Sequence, residues 1–128
     1  MGRWQDGRGT LRVAEEGAVD HAGREDRAAG VPVEIAASYR ARTRGLLGRD
    51  GIAGALLLTP ANSVHTFRMR FAIDVAYLDR RLNVLAVRTM RPGRLGLPRP
   101  RARHVLEAEA GAMARWGLRP GVRVTLET

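Results

Sequence analysis

The apolar residues of this sequence occur in short runs separated by polar and turn-forming residues, and this spacing limits the possible folds most. Val31, Val33 and Ile35 alternate with other residues, which predicts a half-buried β-strand. Residues 54–59 form an almost uninterrupted apolar run of the length typical of a buried strand. The same reasoning predicts further strands at residues 10–14, 64–71, 74–79, 83–88, 104–108 and 122–126.

Helical signals in the sequence are few and short. Ser38 can cap a helix that extends to Gly45 or Leu47, with Tyr39 on its inner face. A second short helix is expected at residues 112–116. The sequence therefore predicts a mainly β chain of the β-rich α+β class, with about seven short strands and two short helices. They would form a small barrel or a rolled antiparallel or mixed sheet.

The length of 128 residues suits a single domain. Residues 1–30 are charged and glycine-bearing, so we expect a variable and partly mobile N-terminal segment. Residues 31–128 carry the apolar pattern and are expected to form one compact β-rich domain. No apolar run approaches the roughly 20 residues of a membrane helix. The first residues lack the apolar core of a secretory signal, so the expected compartment is the cytoplasm.

The composition excludes several kinds of site. The chain has no cysteine, which removes disulfides, thiolate zinc sites and cysteine nucleophiles. His21, His65 and His104 are too far apart in sequence to form a local set of metal ligands, so neither a metal nor another cofactor is expected. The net charge is +9 and all 22 basic residues are arginine, which indicates a compositional bias as much as an anionic partner.

The stretch SVHTFRMRFAID places polar groups inside a segment that otherwise resembles a core strand. Alternation puts His65 and Met69 on the apolar face of this strand and Thr66 on the opposite face. A histidine in that position is typical of a hydrogen-bonded residue at the border of the core. If the chain bends before Asp74, this carboxylate could orient His65 as a general base. That arrangement is the basis of a hydrolase-like alternative.

A second candidate surface is rich in arginine. No acidic residue occurs between Asp79 and Glu107, so one patch of these arginines could attract nucleic acid. The segment contains no aromatic residue on which bases would stack and no helix to enter a groove, which disfavours nucleic-acid binding. The candidate nucleic-acid contacts are Arg88, Arg91, Arg94, Arg99, Arg101 and Arg103.

Several short motifs occur in a fixed order along the chain. They are RGLLGR at residues 44–49, HTFRMRFAIDV at 65–75, YLD at 77–79, and VLE at 105–107 followed by Gly111 and Gly121. This ordered set resembles the domain-of-unknown-function family 192, also called uncharacterised protein family 0127, over about residues 31–126. The resemblance implies a compact, mostly β fold of barrel type and implies no activity. The matching positions are Gly45, Leu46, Arg49, Met69, Arg70, Ile73, Asp74, Leu106, Glu107 and Gly111.

The residues favour a binding module over an enzyme. An arginine–carboxylate pair, with Arg49 or Arg70 as the cation, could fix the sheet or line a small polar cleft. In such a cleft, the arginines would bind a small anionic ligand or a peptide carboxylate. A protein partner in an envelope or secretion assembly, bound through an exposed edge strand, is a further alternative. The predicted ligand-binding residues are Arg49, His65, Thr66, Met69, Arg70, Asp74 and Glu107, with Asp74 or Glu107 as the paired carboxylate.

Overall fold

Strands dominate the structure, and their order along the chain follows the apolar runs. The computed structural model describes residues 4–14 and 30–128, so most of residues 1–30, predicted to be a variable and partly mobile N-terminal segment, lies outside the described residues. The prediction of a mainly β chain with two short helices is confirmed. The elements are β1 (Gly7–Ala14), β2 (Val31–Ala36), α1 (Tyr39–Arg44), β3 (Ala55–Leu58), β4 (Ile73–Leu78), β5 (Val84–Met90), β6 (His104–Glu109), α2 (Ala112–Arg115) and β7 (Arg123–Glu127).

Within the described residues, the strands form one seven-stranded sheet in the order β5-β4-β6-β3-β2-β1-β7. Strands β2 and β3 are parallel, and the other neighbouring pairs are antiparallel. Val84 N donates to Val122 O at 2.7 Å, and Val124 N donates to Leu82 O at 3.0 Å. These bonds bring the edge strand β5 back to the other edge strand β7, so the sheet curls into a half-barrel.

Apolar side chains form two layers, one on each face of the curled sheet. The inner layer includes Leu57 and Leu106 and is closed by Met113 of α2. On the outer face, Leu56 packs in a second layer with Met69 from the loop before β4. Because both faces are covered, every residue of β3 and β4 is buried, and their sequences are almost wholly apolar.

Residues 64–71 do not form the predicted strand. One isolated bridge joins His65 to Leu95, and the chain turns at Arg68, where φ is 62°. The segment runs instead beside the loop that follows β5, with backbone hydrogen bonds between the two. Residues 62–68 and 91–97 are together called the outer ribbon below.

Thr66 determines which side chains of the outer ribbon face solvent. It is fully buried, because its hydroxyl donates to Arg91 O at 2.6 Å and accepts from Arg94 N at 2.8 Å. Its neighbours His65 and Phe67 are exposed, so the prediction that His65 lies on the apolar face is wrong. Alternation cannot show this, since a threonine whose hydroxyl is hydrogen-bonded can be buried as readily as an apolar residue.

Helix α1 begins and ends near the predicted residues, but its faces differ from the prediction. Ser38 Oγ accepts a hydrogen bond from Ala41 N at 3.1 Å, and Gly45 ends the helix with a φ of 47°. Tyr39 is 79% exposed, so its predicted place on the inner face is wrong. Leu46, directly after the helix, makes the buried contact instead. Neither helix in residues 4–14 and 30–128 is long and apolar enough to cross a membrane.

Strand β1 brings N-terminal residues into the sheet. It pairs with β2 over Gly7 to Leu11 and with β7 over Thr10 to Ala14. The strand predicted at residues 10–14 is confirmed and begins earlier, at Gly7. The division at residue 30 between a variable segment and a compact domain stays a prediction.

Candidate functional site

A cleft of about 350 Å³ opens between α1 and the chain that follows β3. This volume is within the range of small-molecule sites in proteins. Part of the cleft wall is apolar and comes from Leu46, Leu58, Val64 and Met69. The polar lining consists of Tyr39, Arg42, Thr43, Arg44, Asn62, Ser63, His65 and Glu107.

Glu107 lies at the base of this cleft. It is in the middle of β6, opposite Leu56 of β3 and Val75 of β4, on the outer face of the sheet. Only 3% of the residue is exposed, and its carboxyl makes no hydrogen bond or ion pair with any residue of 4–14 or 30–128. Burial raises the pKa of Glu107 from 4.5 to about 7, because the charged form is poorly solvated. At neutral pH the carboxyl can therefore act as a hydrogen-bond donor as well as an acceptor.

Gly45 leaves Glu107 open to the cleft. A Cβ at this position would lie 3.9 Å from Glu107 Oε1, in van der Waals contact with the carboxyl. The φ of 47° also disfavours residues with a side chain. The residue that ends α1 thus also keeps the approach to the carboxyl clear.

Arg42 brings a positive charge to the cleft from α1. Its Nη1 donates to Pro60 O at 3.0 Å, which ties the helix to the turn after β3. Its Nε is buried and has no acceptor within the described part of the chain. A buried donor without a partner costs free energy, which a bound acceptor would recover. Arg42 was not predicted, because the sequence does not distinguish it from Arg40 or Arg44 until the phase of the helix is known.

The predicted ligand-binding residues fall into two groups. Three of them line the cleft, namely His65, Met69 and Glu107. The others lie outside its lining, namely Arg49, Thr66, Arg70 and Asp74. Of these, Thr66 has a structural role, since its hydrogen bonds hold the two halves of the outer ribbon together.

Arg49 and Arg70 form ion pairs with other carboxylates than the predicted ones. Arg49 Nη2 lies 2.8 Å from Glu34 Oε2, and this hydrogen bond lowers the pKa of Glu34. Arg70 Nη1 lies 3.1 Å from Asp50 Oδ1. The predicted pairs with the carboxylates of β4 and β6 are therefore wrong. The sequence could not reveal the true partners, because they depend on the path of the loop after α1.

Asp74 points to the inner face of the sheet, away from the cleft. Its Oδ1 accepts from Thr89 Oγ1 at 2.7 Å, and its Oδ2 accepts from Gly111 N at 2.9 Å and Met113 N at 3.1 Å. The carboxylate therefore caps the first turn of α2 from a neighbouring strand, where Gly111 has no side chain to do so. Among the described residues no hydrogen bond joins Asp74 to His65, so the geometry does not support the predicted catalytic pair.

The arginines predicted to contact nucleic acid differ in their surroundings. The guanidinium groups of Arg88 and Arg103 each donate to a nearby backbone carbonyl at 2.9 Å. The guanidinium of Arg99 lies over the ring of Tyr77, 4.6 Å from its centroid. These three side chains have local structural contacts. All members of the set are exposed except Arg99, which is partly buried, and Arg91, Arg94 and Arg101 are the exposed members without one of these contacts.

Replacing Arg70 by glutamine should change the free energy of unfolding by less than about 1 kcal/mol. The reason is that the side chains of Arg70 and Asp50 are 59% and 86% exposed, so water replaces their contact readily. Urea denaturation measures the change, and Asp50→Asn should give a similarly small one. A loss of several kcal/mol in Arg70→Gln alone would contradict this weak surface pair.

Known proteins resemble this chain in sequence. Residues 21–126 match the sequence model of a family described as DUF192, Uncharacterized ACR. A UPF0127 protein from Pyrococcus horikoshii is 33% identical over 84 residues, which cover 62% of this chain and 73% of that protein. A UPF0127 protein from Pyrococcus abyssi is 32% identical over 84 residues, which cover 62% of this chain and 72% of that protein. The resemblance inferred from the ordered motifs is confirmed.

Solved structures share the fold at low sequence identity. A protein of unknown function from Novosphingobium aromaticivorans superposes with a TM-score of 0.70 and 18% identity, covering 91% of this chain and 83% of that one. A Sinorhizobium meliloti protein, named provisionally as a transcription regulator, superposes with a TM-score of 0.66 and 18% identity, covering 98% of both chains. At this identity the likeness shows the fold alone.

Proposed function

The chain belongs to the family DUF192, whose description assigns no activity, and we propose that it is a binding module whose cleft takes a small anionic ligand. The observation that carries this proposal is the buried carboxyl of Glu107, which has no partner among the described residues and lies at the base of a cleft that Arg42 also lines. Ionisable groups with perturbed pKa values in clefts are concentrated at functional sites. A carboxylate, either of a small acid or at the end of a peptide, suits this pair of residues.

A ligand carboxylate would supply hydrogen-bond partners to both residues. Protonated Glu107 can donate to a ligand oxygen, so that two carboxyl groups share one proton and the repulsion between two negative charges is avoided. The buried Nε of Arg42 provides a second donor, and its charge strengthens the bond. Binding would therefore offset the cost of burying these two groups without partners.

The walls of the cleft restrict the rest of the ligand. Leu46, Leu58 and Val64 present apolar surface within a space of about 350 Å³. A short aliphatic or aromatic body would fill this space and displace water from apolar surface. Tyr39 and His65 line the cleft as well and offer rings for further contact. The arrangement suits a ligand with one anionic end and an apolar remainder.

Backbone amide shifts in NMR spectra, recorded while pooled small carboxylates and short peptides are added, test the proposal. Shifts should cluster at residues 42–47 and 61–65, which contribute most of the cleft lining. Arg42→Gln should weaken binding at least about tenfold, because a hydrogen bond to a charged group is lost. Arg40→Gln is the matched control, since Arg40 is an exposed residue of α1 outside the cleft lining, and it should leave the affinity unchanged.

The affinity should also depend on pH. Because binding uses the protonated form of Glu107, whose pKa is about 7, the affinity should fall up to about tenfold per pH unit at higher pH. Glu107→Gln keeps an N–H donor that does not titrate, so its affinity should stay constant over the same range. Equal affinities of Arg42→Gln and the wild type, or shifts confined to exposed arginines outside the cleft, would contradict the proposal.

A further inference from the structure

The outer ribbon presents large apolar side chains to solvent. The exposed fractions are 46% for Phe67, 65% for Leu95 and 77% for Leu97. The ring of His65 stacks on that of Phe67 with 5.1 Å between centroids, which extends the surface. A group of exposed apolar side chains marks an interaction surface far more often than a single one does.

Backbone contacts hold these side chains outward. Gly96 packs so closely against the sheet that a Cβ there would lie 2.6 Å from Tyr77 Oη. Gly96 N also donates to Val64 O at 2.7 Å, and Thr66 N donates to Arg94 O at 2.8 Å. Because Gly96 and Thr66 are fixed against the protein, the residues on either side of each are directed to solvent. The apolar surface is therefore part of the folded structure.

The charge of the outer ribbon is positive throughout. Its exposed arginines are Arg68, Arg91 and Arg94, and its two segments contain no acidic residue. Exposed phenylalanine and leucine beside arginine is the combination found on proteins that lie on lipid surfaces. The apolar side chains enter the boundary between headgroups and acyl chains, and the cations attract anionic headgroups.

We propose that the outer ribbon docks on an anionic lipid surface, with its three apolar side chains inserted and its three arginines among the headgroups. Two exposed leucines favour lipid over single-stranded nucleic acid, because bases stack on aromatic rings and aliphatic side chains offer none. A second copy of the chain fits less well, since a symmetric contact would bring like charges together. This docking does not depend on the ligand proposed for the cleft.

Sedimentation of the full chain with sucrose-loaded vesicles tests the docking. The wild type should bind mixed phosphatidylcholine–phosphatidylserine vesicles at least about tenfold more tightly than vesicles of phosphatidylcholine alone. Leu95→Ser combined with Leu97→Ser keeps every arginine and should weaken binding to the mixed vesicles at least about tenfold. Trp4→Ser, which changes an exposed ring outside both the ribbon and the cleft lining, should bind as the wild type does. Circular dichroism confirms that each variant is folded.

The contribution of charge is measured with a second pair of variants. Arg91→Gln combined with Arg94→Gln should weaken binding roughly 25-fold, or about fivefold for each arginine. Arg40→Gln combined with Arg80→Gln removes the same charge from exposed positions outside the ribbon and should have much less effect. Equal effects of the two arginine pairs would overturn the proposal, because binding would then follow net charge alone.

Three other results would also overturn it. One is the absence of binding to either vesicle, and another is unchanged binding of the double leucine variant. The third is evidence that the ribbon residues bind a different partner, which either of two observations would provide. A single-stranded oligonucleotide that displaces the protein from vesicles would indicate nucleic acid. Concentration-dependent dimerisation that the leucine substitutions abolish would indicate a second copy of the chain.

Discussion

Replacing Asp74 by alanine is expected to lower the free energy of unfolding by roughly 3–5 kcal/mol. The carboxylate accepts hydrogen bonds from the Thr89 hydroxyl and from the backbone N–H groups of Gly111 and Met113. Asp74 is only 3% exposed, so water cannot readily replace the lost acceptor. The substitution would also remove the polar link between β4 and the start of α2.

Urea denaturation followed by circular dichroism measures this loss. Asp50→Ala removes a carboxylate whose side chain is 86% exposed, and it should change the stability by less than about 1 kcal/mol. Under conditions where Asp74→Ala is folded, its affinity for a cleft ligand should equal that of the wild type, because Asp74 lies outside the cleft lining. A variant of normal stability that no longer binds the ligand would contradict the structural role given to Asp74.

Replacing Glu107 by glutamine is expected to raise the free energy of unfolding above pH 7 by about 3 kcal/mol. Burial raises the pKa of Glu107 from 4.5 to about 7, so the folded state retains a proton that the unfolded chain releases. The stability of the wild type is therefore lost progressively as the pH rises from about 4.5 to about 7, and the loss stays constant above that. Glutamine has nearly the same shape and carries no charge at any of these pH values.

His104 adds a pH dependence of the opposite sign. Burial lowers its pKa from 6.5, so its contribution to stability is present above that value and is lost as the pH falls. Both proteins contain His104, so its contribution cancels when the free energy of unfolding of the wild type is subtracted from that of Glu107→Gln at each pH. The remaining pH dependence is due to Glu107. Glu109→Gln, at the exposed end of the same strand, is the matched control. Its free energy of unfolding should depend on pH as that of the wild type does. A difference that does not vary between about pH 4.5 and 7 would show that Glu107 is not buried without a partner.

The strands could be predicted because the spacing of apolar residues is what a sheet requires. The run at residues 54–59 contains β3. The strand predicted at residues 104–108 matches β6 except for the last residue of β6, Glu109. The same reasoning was wrong for residues 64–71. Thr66 is buried through its hydroxyl bonds and Arg68 adopts a positive φ, and alternation reveals neither.

The candidate site could be predicted only in part. The sequence shows Glu107 as a carboxylate among apolar neighbours, but the absence of a partner for it within the described residues depends on tertiary structure. Asp74 is the other carboxylate that the sequence offers as a partner for Arg49 or Arg70. In the antiparallel pairing of β4 and β6, Asp74 lies opposite Ala108 and not opposite Glu107, so the two carboxylates point to opposite faces of the sheet. A single sequence does not contain this register.

The folded sheet and the family match cover different parts of the chain, because β1 belongs to the sheet and lies before the residues that match the family. The family match covers residues 21–126 and so begins after β1, which ends at Ala14. Yet β1 lies between β2 and β7 and pairs with both, so without it β2 and β7 would each present unpaired backbone groups along the side that β1 now covers. Strand pairing uses backbone groups that nearly every residue has, so this strand can diverge in sequence while its hydrogen bonds persist. The match to the family model therefore covers fewer strands than the sheet contains.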